Sequence, residues 1–531
     1  MSPALGAAGG RDRSAPLRGP MRGPSFWCLV LLVVLSPIPF GSARPVWMDL
    51  ISVLVGLGLL SYAVQRWRLG RPMPLADLPR SLWIAGALVG VVVIWALLQA
   101  LPALAALTGW AHPAWGEAAR ALPASDLPAT ISLVPERTLA AVGTWVTWIG
   151  LALLIALHAR RERNATLLLT VFVAVQGVCA AYGLAMVLSG LDLVLWFEKE
   201  AYFGTVTGPF INRNSYATYA GLGVLAALAL LLRHVRRVAD GDAALRTRVL
   251  MAVEDGLWSQ GVLPVAVIAV GTVALLLTES RMGLVAFCAG TVAFLGLWMA
   301  RMRPGLRRVG LALVGGVVVL LTVNVMLSAD GTLSRFATVE TDADTGRFAV
   351  YPLMVEAIQD RPWLGHGLGT FESAFRLYRD DTVTKFLYRG HSDWLELPMD
   401  LGLPAAGLVF VALLLLTARG ARGVARAREP ERPVLAVAAA VLVGVHATMD
   451  FSLQIPAVMI AFLLLLVSGL TVRAHRPPGR CPRVRGGVGS PRFPDEDEPR
   501  GPERRRHQPE HDLHDPPGGH KLAEIGRLAV P

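Results

Sequence analysis

Residues 138–190 read TLAAVGTWVTWIGLALLIALHARRERNATLLLTVFVAVQGVCAAYGLAMVLSG, and this stretch decides the architecture. Positions 138–158 hold no Asp, Glu, Lys or Arg. Arg160, Arg161, Glu162 and Arg163 follow, and 167–190 is again uncharged. Crossing a hydrocarbon core of about 30 Å takes about 20 apolar helical residues. The stretch therefore reads as two membrane spans joined by a short basic turn.

Working outward, comparable blocks lie at about 26–42, 46–65, 82–105, 215–232, 261–277, 283–300, 309–328, 395–417, 434–450 and 456–472. The expectation is an all-α, polytopic transmembrane bundle of about 12 spans. Composition agrees, with 54% hydrophobic and 17% charged residues, against about 45–50% and 25% in soluble domains. A soluble enzyme, a disordered chain and an outer-membrane barrel, whose strands alternate in short runs, are excluded.

The net charge of +11 is carried mostly by Arg, since Lys199, Lys385 and Lys521 are the three lysines. Its placement alternates. Arg-rich connections hold Arg11, Arg13, Arg18 and Arg22, then Arg66, Arg68, Arg71 and Arg80, then Arg160, Arg161 and Arg163. The same set continues through Arg233–Arg248, Arg301–Arg308 and Arg419–Arg432, while the connections between them carry few. The positive-inside rule puts both termini in the cytoplasm, and the charge orients the chain rather than binding nucleic acid. Residues 1–25 and 473–531 are Pro/Gly/Arg-rich, lack periodicity and are expected to be disordered. The first span is read as retained, because Ser36-Pro37-Ile38-Pro39 kinks it and a second span follows at once. Cys28, Cys179, Cys288 and Cys481 are too dispersed for a disulfide framework or a zinc site. No internal repeat supports an inverted-repeat transporter.

Two outward connections are long, 106–137 and 329–394. In the second, Arg347–Gln359 reads as a helix with Phe348, Tyr351, Met354 or Val355, and Ile358 on one side, stopped by Asp360-Arg361-Pro362. Gly365-His366-Gly367-Leu368-Gly369 follows as a tight turn, and no strand precedes it to make a nucleotide motif. Four constellations stand at the outer surface: Gly208–Ala217 with Asn212, Arg213 and Asn214; Thr278–Gly283 with Arg281; His391–Glu396; and His446 with Asp450. Each has an ordinary reading. The arginines fit interfacial anchors, Ser392 or Asp393 fits a helix cap, and His446 with Asp450 fits a polar pair at a helix end. Together, Arg and His gathered on one side fit a site for an anionic, membrane-borne ligand. Arg suits phosphate through its planar fork, and His can take and return a proton near neutral pH. No cofactor or metal is called for by this inventory, and a pyrophosphate-linked substrate fits it.

These residues resemble the O-antigen ligase/polymerase superfamily of bacterial inner membranes. The resemblance rests on Phe210-Ile211-Asn212-Arg213-Asn214, Ser280-Arg281-Met282-Gly283, Asp360–Phe371 and His446–Pro456, and covers about 130–470. His391-Ser392, followed after nine residues by Gly402, keeps the ligase-branch spacing, whereas Ala405 departs from its last position. The resemblance implies periplasmic glycosyl transfer from an undecaprenyl-pyrophosphate-linked glycan to lipid A core or another acceptor. Arg213, Arg281 and Arg347 are expected at the pyrophosphate and His391 as the base. Glu396 is expected to orient His391, with Asn212, Asn214, His446 and Asp450 in support. A polymerase or protein O-oligosaccharyltransferase on the same fold is the alternative, and a small-anion transporter the rival from another class.

Overall fold

The computed structural model describes residues 23–122, 129–239, 261–302, 304–305, 307–308, 310–316, 319, 343–383 and 386–472. The helices in the first half are α1 (Pro24–Leu35), α2 (Pro45–Arg68), α3 (Arg80–Gln99), α4 (Pro102–Thr108), α5 (Pro113–Ala121), α6 (Pro135–Ala159) and α7 (Glu162–Leu188). A small antiparallel hairpin, β1 (Leu193–Val194) and β2 (Phe197–Glu198), leads to α8 (Arg213–Ala239). Then come α9 (Val262–Leu276), α10 (Arg281–Met299), α11 (Ala343–Asp360) and α12 (Phe371–Phe375). The chain closes with α13 (Asp393–Leu401), α14 (Leu403–Arg426), α15 (Glu431–His446) and α16 (Pro456–Leu470).

The fold is all-α and polytopic. Among the described residues, seven helices (α2, α3, α6, α7, α8, α10 and α14) are long and apolar enough to cross a membrane, while α1, α9 and α16 are apolar but shorter. Several expected boundaries move, most of them at a proline or glycine. Ser36-Pro37 ends the first helix at Leu35. The block expected over 82–105 ends at Gln99, because Pro102 opens a separate helix. The block expected over 395–417 is two helices, broken at Gly402 with φ +80°. The helix expected to run to Asp450 ends at His446. Of the expected span 309–328 only 310–316 and 319 are among the described residues, and 473–531 and most of 1–25 lie outside them.

The helix before the glycine turn begins earlier than its expected Arg347 but stops at Asp360, as Asp360-Arg361-Pro362 requires. Met354 rather than Val355 takes its inward position, since Met354 is fully buried and Val355 is 40% exposed.

Helix α8 is the axis, with α7, α9, α10 and α15 packed around it. Helix α15 is equally enclosed, because its run of small residues lets neighbours approach closely. A Cβ on Gly469 of α16 would sit 2.5 Å from the Arg432 carbonyl oxygen and 2.5 Å from Ala436 Cβ. Such close packing replaces the hydrophobic drive that lipid does not supply. The starts of α8 and α10 and the end of α15 meet at one end of the bundle.

The opposite end is closed by ion pairs. Arg432 Nη1 donates to Glu162 Oε2 at 3.1 Å, and Nη2 donates to the carbonyl of Ala159 at 3.0 Å and to that of Ser468. Arg233 donates to Glu429, Thr166 and Glu162, and Arg236 to Glu431. Part of the Arg excess thus fastens α6, α7, α8, α15 and α16 together.

Candidate active site

Asn212 sits one residue before α8, and its Oδ1 accepts the Asn214 N–H at 2.8 Å, capping the helix. Asn214 is buried, and its own Oδ1 accepts a hydrogen bond from Ser280 Oγ at 2.8 Å. Ser280 caps α10 in turn, accepting from Gly283 N–H. The two motifs carrying Arg213 and Arg281 are therefore joined by a buried hydrogen bond between their caps.

From there a polar chain crosses the bundle. Thr218, one turn beyond Asn214, contacts His446 Nδ1 at 2.8 Å and Ser452 Oγ at 3.1 Å. Ser452 Oγ donates to Asp450 Oδ2 at 2.5 Å. Asp450 Oδ1 lies 3.8 Å from His391 Nδ1, and neither atom has a hydrogen-bond partner among the described residues. Asp450 is 1% exposed, while the His391 side chain is 22% exposed. Burial on its own raises a carboxyl's pKa. At Asp450 the nearby imidazoles of His391 and His446 and the Ser452 hydrogen bond outweigh it, and the carboxyl is held below its usual range.

His391 is positioned by strained backbone and by ring packing. Its φ is +53°, uncommon for a residue with a Cβ. Tyr351 Oη donates to its carbonyl at 3.1 Å, and its ring packs edge-on to Phe451 at 5.0 Å.

Glu396 does not face His391. Its carboxylate accepts the Gly390 N–H at 2.8 Å and approaches Arg389 at 3.4 Å, so it secures the turn before His391, and the carboxylate nearest His391 Nδ1 is that of Asp450. The expected caps differ too. Ser392 makes no side-chain cap bond, and Asp393 Oδ1 accepts from Gln454 Nε2 at 2.9 Å. Burial, with Glu396 and Asp450 close by, pushes the Asp393 carboxyl up to about 8.

Arg213 Nη1 lies 3.5 Å from Glu279 Oε2, and its guanidinium stands 5.1 Å over the Tyr202 ring. Arg281 opens α10 and is exposed. Arg347 falls within α11, but its side chain lies outside the described residues. The polar members that sequence reading missed are Thr218, Ser452, Gln454 and Tyr351. Thr218 alone had a local signal, being four residues from Asn214 on one helix face.

The turn Gly365–Gly369 is a structural clamp. Gln99 Nε2 donates to the Leu364 and Asp400 carbonyls, and Gln99 Oε1 accepts the Leu368 N–H. Gly367 has φ +112°, and a Cβ there would lie 2.3 Å from Ser132 Oγ. The long connection 106–137 enters here through His112. Ala114 N–H donates to His112 Nδ1 (3.2 Å), the His112 and His366 rings share a 2.9 Å bond, and His366 Nε2 donates to the Ala357 carbonyl (2.9 Å). One order of protons satisfies every atom: His112 carries its hydrogen on Nε2, His366 on Nε2, and both rings are neutral.

Burial, reinforced by Arg361 and His366, lowers His112 from 6.5 to about 3. Burial with Arg361 also lowers His366, against the Ala357 bond and Asp360. A lowered folded value means stability that is complete above about 6.5 and is lost as pH falls toward about 3. Limited proteolysis of the detergent-solubilised protein should then cut the 343–391 region faster below pH 6 or so, where unfolded His takes up protons. The paired variant His112→Phe, His366→Phe should lose that dependence.

Residues 265–411 match the family model described as O-antigen ligase. The chain carries an O-antigen ligase domain. No curated protein matches the chain. The family assigns it to glycosyl transfer or ligation in O-antigen or polysaccharide biosynthesis, and with the apolar helices it identifies a multi-pass bacterial membrane protein. The O-antigen ligase domain contains Ser280, Arg281, His391 and Glu396. Arg213, Asn214, Thr218, His446 and Asp450 lie on either side of it in sequence: Asn214 bonds to Ser280 and Arg213 pairs with Glu279 inside it, Asp450 lies 3.8 Å from His391, and Thr218 and His446 link the two flanks to each other.

Proposed function

We propose that this O-antigen ligase-type enzyme transfers a glycan from a polyprenyl-pyrophosphate carrier to an acceptor hydroxyl, as in ligation to lipid A core. The transfer takes place on the Arg-poor, periplasmic side of the inner membrane, with both termini in the cytoplasm. The observation that carries the reading is the partly exposed His391 backed by a buried carboxylate 3.8 Å away, inside an O-antigen ligase match.

Asp450 on the Nδ1 side leaves Nε2 as the proton acceptor. His391 Nε2 takes the acceptor hydroxyl's proton as that oxygen bonds to the anomeric carbon. The bond from that carbon to the phosphate oxygen breaks, and its electron pair leaves with the polyprenyl pyrophosphate. Arg213 and Arg281 bind the pyrophosphate and stabilise the charge that grows on it. Arg347 is proposed as a further contact, and Asn212, Asn214 and His446 hold the framework. Asp450 is a positioning residue.

The test is transfer by the purified protein in proteoliposomes, from a polyprenyl-pyrophosphate oligosaccharide to lipid A core. Absence of any transfer by the wild-type chain to lipid A core, with lengthening of the donor glycan instead, would make it a polymerase. Arg281→Lys should raise KM for the donor about 10-fold, because an ammonium cannot make two parallel bonds to phosphate. An unchanged KM would remove Arg281 from the pyrophosphate.

A further inference from the structure

The connection from α7 to α8 carries large apolar side chains on its surface. Leu188 is 82% exposed, Trp196 72% and Phe203 62%, with Leu191, Phe197 and Ile211 each about half exposed. The segment that presents them is firmly held. Leu195 N–H donates to Tyr182 Oη at 2.6 Å, Lys199 N–H to the Asp192 carbonyl at 2.8 Å, and Lys199 Nζ to the Thr205 carbonyl at 2.7 Å. Phe40 supports the hairpin from behind, 6.2 Å from the Trp196 ring and 5.5 Å from Phe197. Aromatic rings fixed outward on a hydrogen-bonded frame mark contact with an apolar partner.

The patch leads to a cation. The same connection supplies Tyr202, whose ring lies under the Arg213 guanidinium, and Arg213 Nε is buried with no hydrogen-bond partner among the described residues. A ligand matched to both features has a long apolar chain ending in an anionic head. Bulk phospholipid satisfies the patch alone, whereas a chain that ends in pyrophosphate satisfies the patch and Arg213 together.

We infer that the β1–β2 hairpin and Phe203 seat the polyprenyl chain of the glycan donor beside Arg213, an assignment resting on the transferase reading above. The chain lies across Trp196 and Phe203 while its pyrophosphate reaches Arg213.

Two measurements test it. The first uses a diazirine-bearing polyprenyl pyrophosphate with the full-length protein in phospholipid nanodiscs. Label should appear in residues 188–203 and be competed by unlabelled polyprenyl pyrophosphate but not by added phospholipid. Label that phospholipid competes equally well assigns the patch to bulk lipid and overturns the inference, as does absence of label. The second compares long-chain and short-chain donors. The double variant Trp196→Ala, Phe203→Ala should raise KM about 10-fold for the long-chain donor only, with kcat unchanged, whereas Trp196→Leu, Phe203→Leu should restore most of the difference. An equal KM change for both chain lengths overturns the inference. A wild-type chain that takes the label competitively but transfers no glycan removes the transferase reading and leaves the hairpin assignment standing.

Discussion

His391→Asn lowers kcat for glycan transfer by about 10²–10⁴-fold, the usual worth of a positioned general base. Asn is the informative replacement, because His391 has φ +53° and Asn tolerates that backbone far better than Ala. A loss seen with Asn then reports the missing imidazole rather than a distorted turn. Asp450→Asn should lower kcat less, by about 10–100-fold, with donor KM unchanged, since Asp450 acts through His391. Glu396→Gln separates the two carboxylates. Glu396 accepts from Gly390 N–H and faces Arg389, so its effect should fall on thermal stability before kcat. Full activity of His391→Asn at normal folding would remove the base assignment. A larger kcat loss from Glu396→Gln than from Asp450→Asn would reverse the orienting role.

Arg432→Ala destabilises the fold by about 2–4 kcal/mol: its partner Glu162 is 48% exposed, so the lost ion pair itself costs only about 1 kcal/mol, and the buried carbonyls carry the rest. Arg432 is 5% exposed and donates to Glu162 and to the carbonyls of Ala159 and Ser468. Its loss leaves two buried carbonyls without that donor, each a further penalty. The change lies at the start of α15, and His446 ends the same helix. The two are 14 residues apart, about 21 Å along the axis. The measurement is the midpoint of thermal unfolding in detergent, together with kcat on the fraction that remains folded. A clear drop in midpoint with unchanged kcat marks a fastening role. An unchanged midpoint would mean that Arg233 and Arg236 hold the helices by themselves.

Much of the architecture was legible in single residues. Uncharged runs such as 167–190 named the membrane helices, and Asp360-Arg361-Pro362 marked a helix stop. What escaped was every place where glycine or proline broke an apolar run without changing its composition. Gly402 is the clearest case. A block apolar from 395 to 417 reads as one span, yet φ +80° at Gly402 divides it and leaves Asp393 and Glu396 on a short helix of their own.

The candidate site followed the same division. Arg213, Arg281, His391, His446 and Asp450 were each conspicuous, because a charge or imidazole beside an apolar span is costly to keep. Their pairing was not. Glu396 seemed the natural partner of His391 from five residues away. The turn at 390–392 and the break after His446 instead bring Asp450 to it across 59 residues of chain. His112 and His366, 254 residues apart, gave no local signal of contact.

The sequence by itself determined the class of the protein, the ends of most helices and the residue types available to the chemistry. Those follow from hydrophobicity and backbone preference, which act within a few turns. Only the tertiary structure decided which carboxylate meets His391, which arginines are fastened in ion pairs, and that the 106–137 connection clamps the glycine turn. Those are contacts between distant segments, fixed by how α8 and α15 pack, and no local periodicity encodes them.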